Sequence, residues 1–296
     1  TMSPGLATPD AYVKTAQSYS SFLAKIAPNG DAITYFTYIG WRGGYTTARL
    51  LAVDAQGRAY VGGDTTAQQI PVTPNAIQPA YAGGNRDAFL VRMNSDGSAA
   101  EYVTYLGGST KAADPDDTAS GIRIDAHGHV YVAGQTSSPD FPGRRMVQNS
   151  HGGSRDAFLM RLDLDNNQII YATFLGGQKN DAGVALALGP GEAATIVGDS
   201  FSEDLPLANA VQIRLGSAND AFVTQICDPW LGLWPAPPSF THVAGSANAP
   251  DSQVVDVYSG CLQPFDAVVE LAEGENNSWL KFAVDRNAVP MKLTLT

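Results

Sequence analysis

Apolar and polar residues alternate along most of this chain, in short runs. The runs within 21–40, 50–63, 87–108, 121–134, 156–177, 183–198 and 220–227 are rich in β-branched and aromatic residues. Gly, Asp and Asn punctuate them, as at Pro28-Asn29-Gly30, Ser95-Asp96-Gly97 and Ala126-His127-Gly128. A period of two bounded by turn residues predicts strands. No segment carries a capped helical stripe, so the pattern predicts an all-β chain.

The runs also repeat. Asp87-Ala88-Phe89 returns as Asp156-Ala157-Phe158 and Asp220-Ala221-Phe222, with Ser20-Ser21-Phe22 as a degenerate copy. Tyr105-Leu106-Gly107-Gly108 returns as Phe174-Leu175-Gly176-Gly177, and as Tyr38-Ile39-Gly40-Trp41, where the second glycine is lost. Phe141-Pro142 has counterparts in Ile70-Pro71 and Leu205-Pro206, each at the same distance past a hairpin glycine (Gly134, Gly63, Gly198). Agreement at this many points marks an array of structural units.

Each unit holds four short strands, enough for one antiparallel sheet. Such a sheet cannot bury both faces alone and must stack on neighbours. Radial stacking of four-stranded sheets makes β-propeller blades. The units divide into a partial blade at 8–40, full blades at 50–108 and 121–177, and a partial blade at 183–227. A closed propeller needs at least four complete blades. The expectation is therefore an incomplete ring or arc over 1–228, with raw edges that other chains or residues upstream of Thr1 complete. The opening TMSPGLATPD has neither the basic nor the apolar region of a signal peptide. Thr8-Pro9-Asp10-Ala11 matches Thr73-Pro74-Asn75-Ala76, so the chain reads as beginning partway through a unit of a longer precursor.

The pattern changes after Asp228. Residues 229–237 are a Pro- and Trp-rich linker, and 238–296 carry five further strand candidates. These are SFTHVA, SQVVDVYSG, FDAVVELAE, SWLKFAVD and MKLTLT, which predict a small β-sandwich.

Charge narrows the function. With a net charge of −11 and 18 Lys and Arg in 296 residues, the chain shows no basic face for phosphate backbones or anionic lipid. No apolar run approaches the length of a membrane span. Nucleic acid and membrane insertion are not expected. Cys227 and Cys261 read either as two unpaired buried thiols or, in an exported protein, as a bridge between the two domains.

The unit DAFLVRMNSDGSAAEYVTYLGG…GIRIDAHGHVYVAGQTSSPDFP resembles the bacterial β-propeller repeat family known as SBBP, over roughly residues 8–227. Departures are Ser20 for the strand-opening Asp, Trp41 for a corner glycine, and Ala187-Leu188-Gly189-Pro190 for an Asp-led turn. The resemblance implies an exported, repetitive bacterial protein, usually without an assigned activity. The tail is similar to BACON-like immunoglobulin-type modules, for which carbohydrate attachment has been suspected. Trp279 falls at that family's Trp-Leu position and reads as core.

Candidate chemistry is sparse. Asp114, Asp116 and Asp117 put three carboxylates in one loop and are the candidate Ca²⁺ ligands; the competing reading is a solvated acidic loop. Asp163-Leu164-Asp165-Asn166-Asn167 resembles the opening of a calcium loop but reads better as a hairpin turn. Asp54 and Asp125 precede tight turns and are expected to cap them, while Asp87, Asp156 and Asp220 also read as structural. His127, His129, His151 and His242 lack ligand spacing, and the first two read as exposed turn residues. Trp230 and Trp234 are expected to pack at the domain junction or to contact sugar or protein. No nucleophile elbow, P-loop or dinucleotide fingerprint is present. The conspicuous acids recur in each unit, as structural groups do. The expectation is a non-enzymatic scaffold or adhesion protein at the cell surface or outside it. It would need no cofactor, with Ca²⁺ as the one candidate ion, and would associate with itself or with further copies of the repeat. A carbohydrate-binding protein is the alternative, and a propeller enzyme acting on polysaccharide the more distant one.

Overall fold

The computed structural model describes residues 1, 3–17, 20–109, 116–207, 210–216 and 218–226, and the backbone of four later strands. The chain forms two compact units, Thr1–Ala187 with Ile196–Thr224, and Leu188–Thr195 with Gln225–Thr296.

The alternating runs become antiparallel sheets at the expected places. β1 (Ser21–Ile26) pairs with β2 (Ile33–Ile39). β3 (Thr46–Val53), β4 (Ala59–Thr65), β5 (Asp87–Met93) and β6 (Ala100–Leu106) form a four-stranded sheet in chain order. β7 (Asp117–Ile124), β8 (Val130–Thr136), β9 (Asp156–Asp163) and β10 (Gln168–Leu175) form a second. β11 (Asp181–Leu188), β12 (Ala194–Ser200) and β13 (Asp220–Ile226) form a three-stranded sheet. The grouping of two, four, four and three strands is the one the repeats predict.

Turn chemistry explains the hairpins. Asp54 Oδ1 accepts from the N–H of Gln56 at 3.0 Å and of Arg58 at 2.9 Å. Asp125 Oδ1 accepts from His127 and His129, both at 2.9 Å. Gly57 and Gly128 close these turns at φ +77° and +85°, a region that glycine enters at little cost. Asp163 Oδ1 caps Asp165 and Asn166 in the β9–β10 turn, so that acidic run is a hairpin turn. Where the third sheet lacks an Asp-led turn, Pro190–Glu192 form a 3₁₀ turn.

The first strands β3 and β7 each carry a bulge, at Arg49 and at Ser120. The bulge brings a carbonyl against the neighbouring hairpin glycine. A Cβ on Gly63, Gly134 or Gly198 would collide with the carbonyl of Thr47, Thr118 or Ala182. That close approach explains why a glycine recurs there.

Successive sheets then stack. Phe89, Val91 and Met93 turn towards β1–β2 and share a core with Leu23, Tyr35 and Ile39. Ala88 and Leu90 turn the other way and share a core with Phe158, Met160 and Leu162. The central strands β4, β5, β8 and β9 are buried on both faces and read as near-continuous apolar runs, whereas β3 leaves Leu51 and Val53 exposed.

In the second unit, β14 (Gly232–Trp234), β15 (Gln253–Tyr258), β16 (Phe282–Val284) and β17 (Met291–Leu295) form a sheet in the order β14-β15-β17-β16. β14 lies inside the stretch expected to be a linker: its backbone pairs with β15, so that stretch is not purely a connection. The strands expected at SFTHVA and FDAVVELAE lie outside the described residues.

Candidate functional site

The recurring carboxylates serve the junctions between sheets. Asp87 Oδ2 accepts from the N–H of Ala82 at 2.7 Å and from Gln78 Nε2 at 3.3 Å. Asp156 and Asp220 repeat the clamp, with Gly152 and Gln148, and with Gly216 and Gln212. The same Gln side chains accept from the first junction glycines, Gln78 from Gly107 and Gln148 from Gly176, both at 2.9 Å. Asp117 and Asp181 complete the junction from the following sheet. They accept from the second glycines, Gly108 at 2.7 Å and Gly177 at 2.8 Å, and from Ser138 and Ser202. Gln78, Gln148 and Gln212 escaped the sequence reading, although their recurrence eight or nine residues before each Asp-Ala-Phe was a usable signal.

Burial has a cost at these carboxyls. It drives Asp87 up to about 7, with the Asp117 carboxylate adding to the rise against the Ala82 N–H and Gln78. Burial likewise drives Asp156 up to about 6, aided by Asp181 and opposed by the Gly152 N–H and His151.

The first junction departs from this scheme as a set. Ser20 stands for the Asp, Thr46 for Asp117, and Trp41 for the second glycine. Trp41 is buried and sits edge-on to Phe89, with ring centroids 5.2 Å apart. It fills space where the other junctions hold a polar network.

The expected Ca²⁺ ligands do not share one described loop. Asp117 is buried at the junction. Asp116 forms an ion pair with Arg86 at 3.2 Å, and Asp114 lies outside the described residues. Cys227, Cys261, Trp230 and the side chain of Trp234 also lie outside them.

The hairpin tips hold ion networks. His129 is buried, contrary to its expected exposure: Asp125 lies 3.0 Å from its Nδ1, and Arg161 reaches the same atom from β9 at 3.1 Å. Arg161 Nη2 lies 2.7 Å from Asp125 Oδ2 and packs over the Tyr131 ring. Burial raises the Asp125 carboxyl, but the His129 hydrogen bond and the charges of His129 and Arg161 outweigh it and hold it at about 2. Asp125, His127 and His129 converge closely enough to suggest a metal site. The Arg161 guanidinium, however, already lies against the Asp125 carboxylate and His129 Nδ1, where it would repel a cation. In the sheet before, Arg92 reaches Asp165 at 2.7 Å and Tyr102 reaches Asn167 at 2.6 Å, tying two sheets together.

A partly polar groove lies along the first strands. It measures about 480 Å³ and is lined by Arg49, Ser120, Gln135, Arg155, Asn180 and Asp199, with backbone from β7 and β11. Bulges commonly re-aim a side chain, and both bulged residues, Arg49 and Ser120, reach this groove. The flanking registers repeat, yet the groove residues differ from unit to unit. Arg49 corresponds to Ser120, and Asp64 to Gln135 and Asp199. Asp64 is buried and ion-paired with Arg49 and Arg86, so its replacement by Gln135 and Asp199 changes the charge of the groove from unit to unit.

Residues 101–142 match the beta-propeller repeat family, SBBP. The matched stretch runs from β6 across the junction glycines to β8 and Phe141-Pro142, so it spans parts of two sheets. No curated protein matches the chain. The chain is an all-β protein of antiparallel sheets consistent with propeller blades, and it carries a match to the beta-propeller repeat family across a sheet junction.

Proposed function

We propose that this protein is a non-enzymatic scaffold that associates, face to face, with a second copy of itself. One observation carries the reading: equivalent repeat positions are buried inside the array and exposed at its two ends. Phe89 and Phe158 are both 0 % exposed, while Phe22 at the same position on β1 is 54 % exposed. Met93 and Leu162 are 0 % exposed, and Ile26 is 62 %. On the other face Leu90 and Leu159 are at most 1 % exposed, and Val223 on β13 is 74 %.

The β1–β2 face and the β11–β13 face are thus the two halves of the interface that joins successive sheets within the chain. One polypeptide carries both halves, so a second copy can supply the missing neighbour head to tail. Apolar faces of this kind mark interaction sites in soluble proteins. Export to the cell surface belongs to the same reading and rests on the repeat resemblance alone.

Mass photometry over a concentration series tests it. The wild type should form dimers or longer chains. Phe22→Asp and Val223→Asp should each give monomers, and a mixture of the two should restore dimers, because each variant keeps one intact face. A wild type that stays monomeric at every concentration, or variants that assemble like it, would overturn the proposal. A glycan array without hits beside intact self-association would remove the carbohydrate alternative.

A further inference from the structure

The groove along the first strands contains an arginine whose acidic partners have been exchanged for amides. In the β3–β6 sheet, Arg86 precedes the Asp-Ala-Phe strand. Its guanidinium meets Asp64 at 3.2 Å and Asp116 at 3.2 Å. Arg155 occupies the same place in the next sheet. Its carbonyl accepts from Asp181 N–H at 2.7 Å, as that of Arg86 accepts from Asp117 at 3.0 Å. It bridges to Asn180 as Arg86 bridges to Asp116. The register places Gln135 opposite Ala157, as Asp64 is opposite Ala88. Asn180 and Gln135 therefore stand where Arg86 has its two carboxylates.

The consequence is electrostatic. A guanidinium stays protonated at any pH a protein meets, and one without a counter-charge on the protein is open to an anion from solution. Arg155 Nε is buried with no hydrogen-bond partner; Arg86 Nε also makes no hydrogen bond, but it lies 3.2 Å from the Asp116 carboxylate. Among the described residues, the Arg155 side chain meets no carboxylate within ion-pair distance. Asp199 lines the same groove without forming an ion pair with it. The space beside Arg155 has the size of a small-molecule site. Arginine's planar fork suits two oxygens of one anion.

We infer that the groove binds a small oxyanion, carboxylate or phosphate, which supplies to Arg155 the counter-charge that Asp64 and Asp116 supply to Arg86. The Gln135 and Asn180 amides, which lack side-chain hydrogen bonds to the described residues, add donors that the acids would not. This inference does not rest on self-association: Phe22, Ile26 and Val223, which carry that reading, do not line the groove.

The test is calorimetric titration of the full chain at low salt with malonate and, separately, with inorganic phosphate. The two arms distinguish the carboxylate from the phosphate source. Saturable binding of at least one is expected. Arg155→Gln should abolish it. Gln135→Asp recreates the pairing of Arg86 and should weaken binding by about tenfold or more, with the melting temperature kept or raised. Asp199→Asn removes a repelling carboxylate and should tighten it. Absence of binding to both anions would overturn the inference, as would binding that survives both Arg155→Gln and Gln135→Asp. Binding seen only in Asp199→Asn would mean that Asp199 neutralises Arg155, and would also overturn it.

Discussion

Gly107 and Gly176 are among the residues least open to replacement, and for a reason unrelated to turns. A Cβ on either would lie 2.5 Å from the carboxyl carbon of Asp87 or Asp156. Those carboxyls are clamped and cannot move aside. Gly176→Ala should therefore destabilise the chain by about 1–3 kcal/mol through overpacking. Gly128→Ala should cost only about 1 kcal/mol, because its φ of +85° is strained for alanine but its surroundings are open. Urea denaturation of the two variants against wild type checks the order. The doublet stood out in the sequence as a repeat. Its cause did not, because the atoms that forbid a side chain belong to a residue 20 positions upstream.

At the scale of the element, the loops between second and third strands are held by Asp-Gln clamps. Gln148 donates to Asp156 and to the Ser150 carbonyl and accepts from Gly176, so Gln148→Ala breaks three hydrogen bonds around a buried carboxyl. It should cost about 1–3 kcal/mol, read from chemical denaturation. The clamps also set a pH dependence. The folded-state values of Asp87 and Asp156 lie above those of an unfolded aspartate. Their contribution is complete below about pH 4 and is lost as the pH rises through about 6 to 7. Asp125 works in the opposite sense. Its lowered value contributes stability above about pH 4 that is lost as the pH falls towards about 2. Asp87→Asn should flatten the decline towards neutral pH and leave the acid limb in place, as seen in denaturation midpoints across the range. The turns led by Asp54 and Asp125 were readable because a cap and its N–H groups are local. The burial of His129 was not, because Arg161 reaches it from a different strand.

For the molecule as a whole, position in the array decides what one residue type does. Leu159 and Val223 are equivalent in the repeat, yet one is 0 % and the other 74 % exposed. Leu159→Asp should prevent folding, since it buries an unpaired charge between two sheets. Val223→Asp should shift stability by no more than about 0.5 kcal/mol while abolishing association. Circular dichroism melts of both variants, beside the mass measurement, separate loss of fold from loss of interface.

The sequence alone determined the strands, their grouping into sheets, the capped turns and the recurrence of the junction glycines. All of these follow from periodicity and turn chemistry, which act over a few residues. Tertiary structure decided which faces remain open, why Trp41 and Thr46 changed together with Ser20, and which arginine stands without acids. Those outcomes depend on residues far apart in the chain that become neighbours only when one sheet stacks on the next. A repeat shows that Arg155 matches Arg86, but only packing shows that the two carboxylates beside Arg86 have become amides beside Arg155.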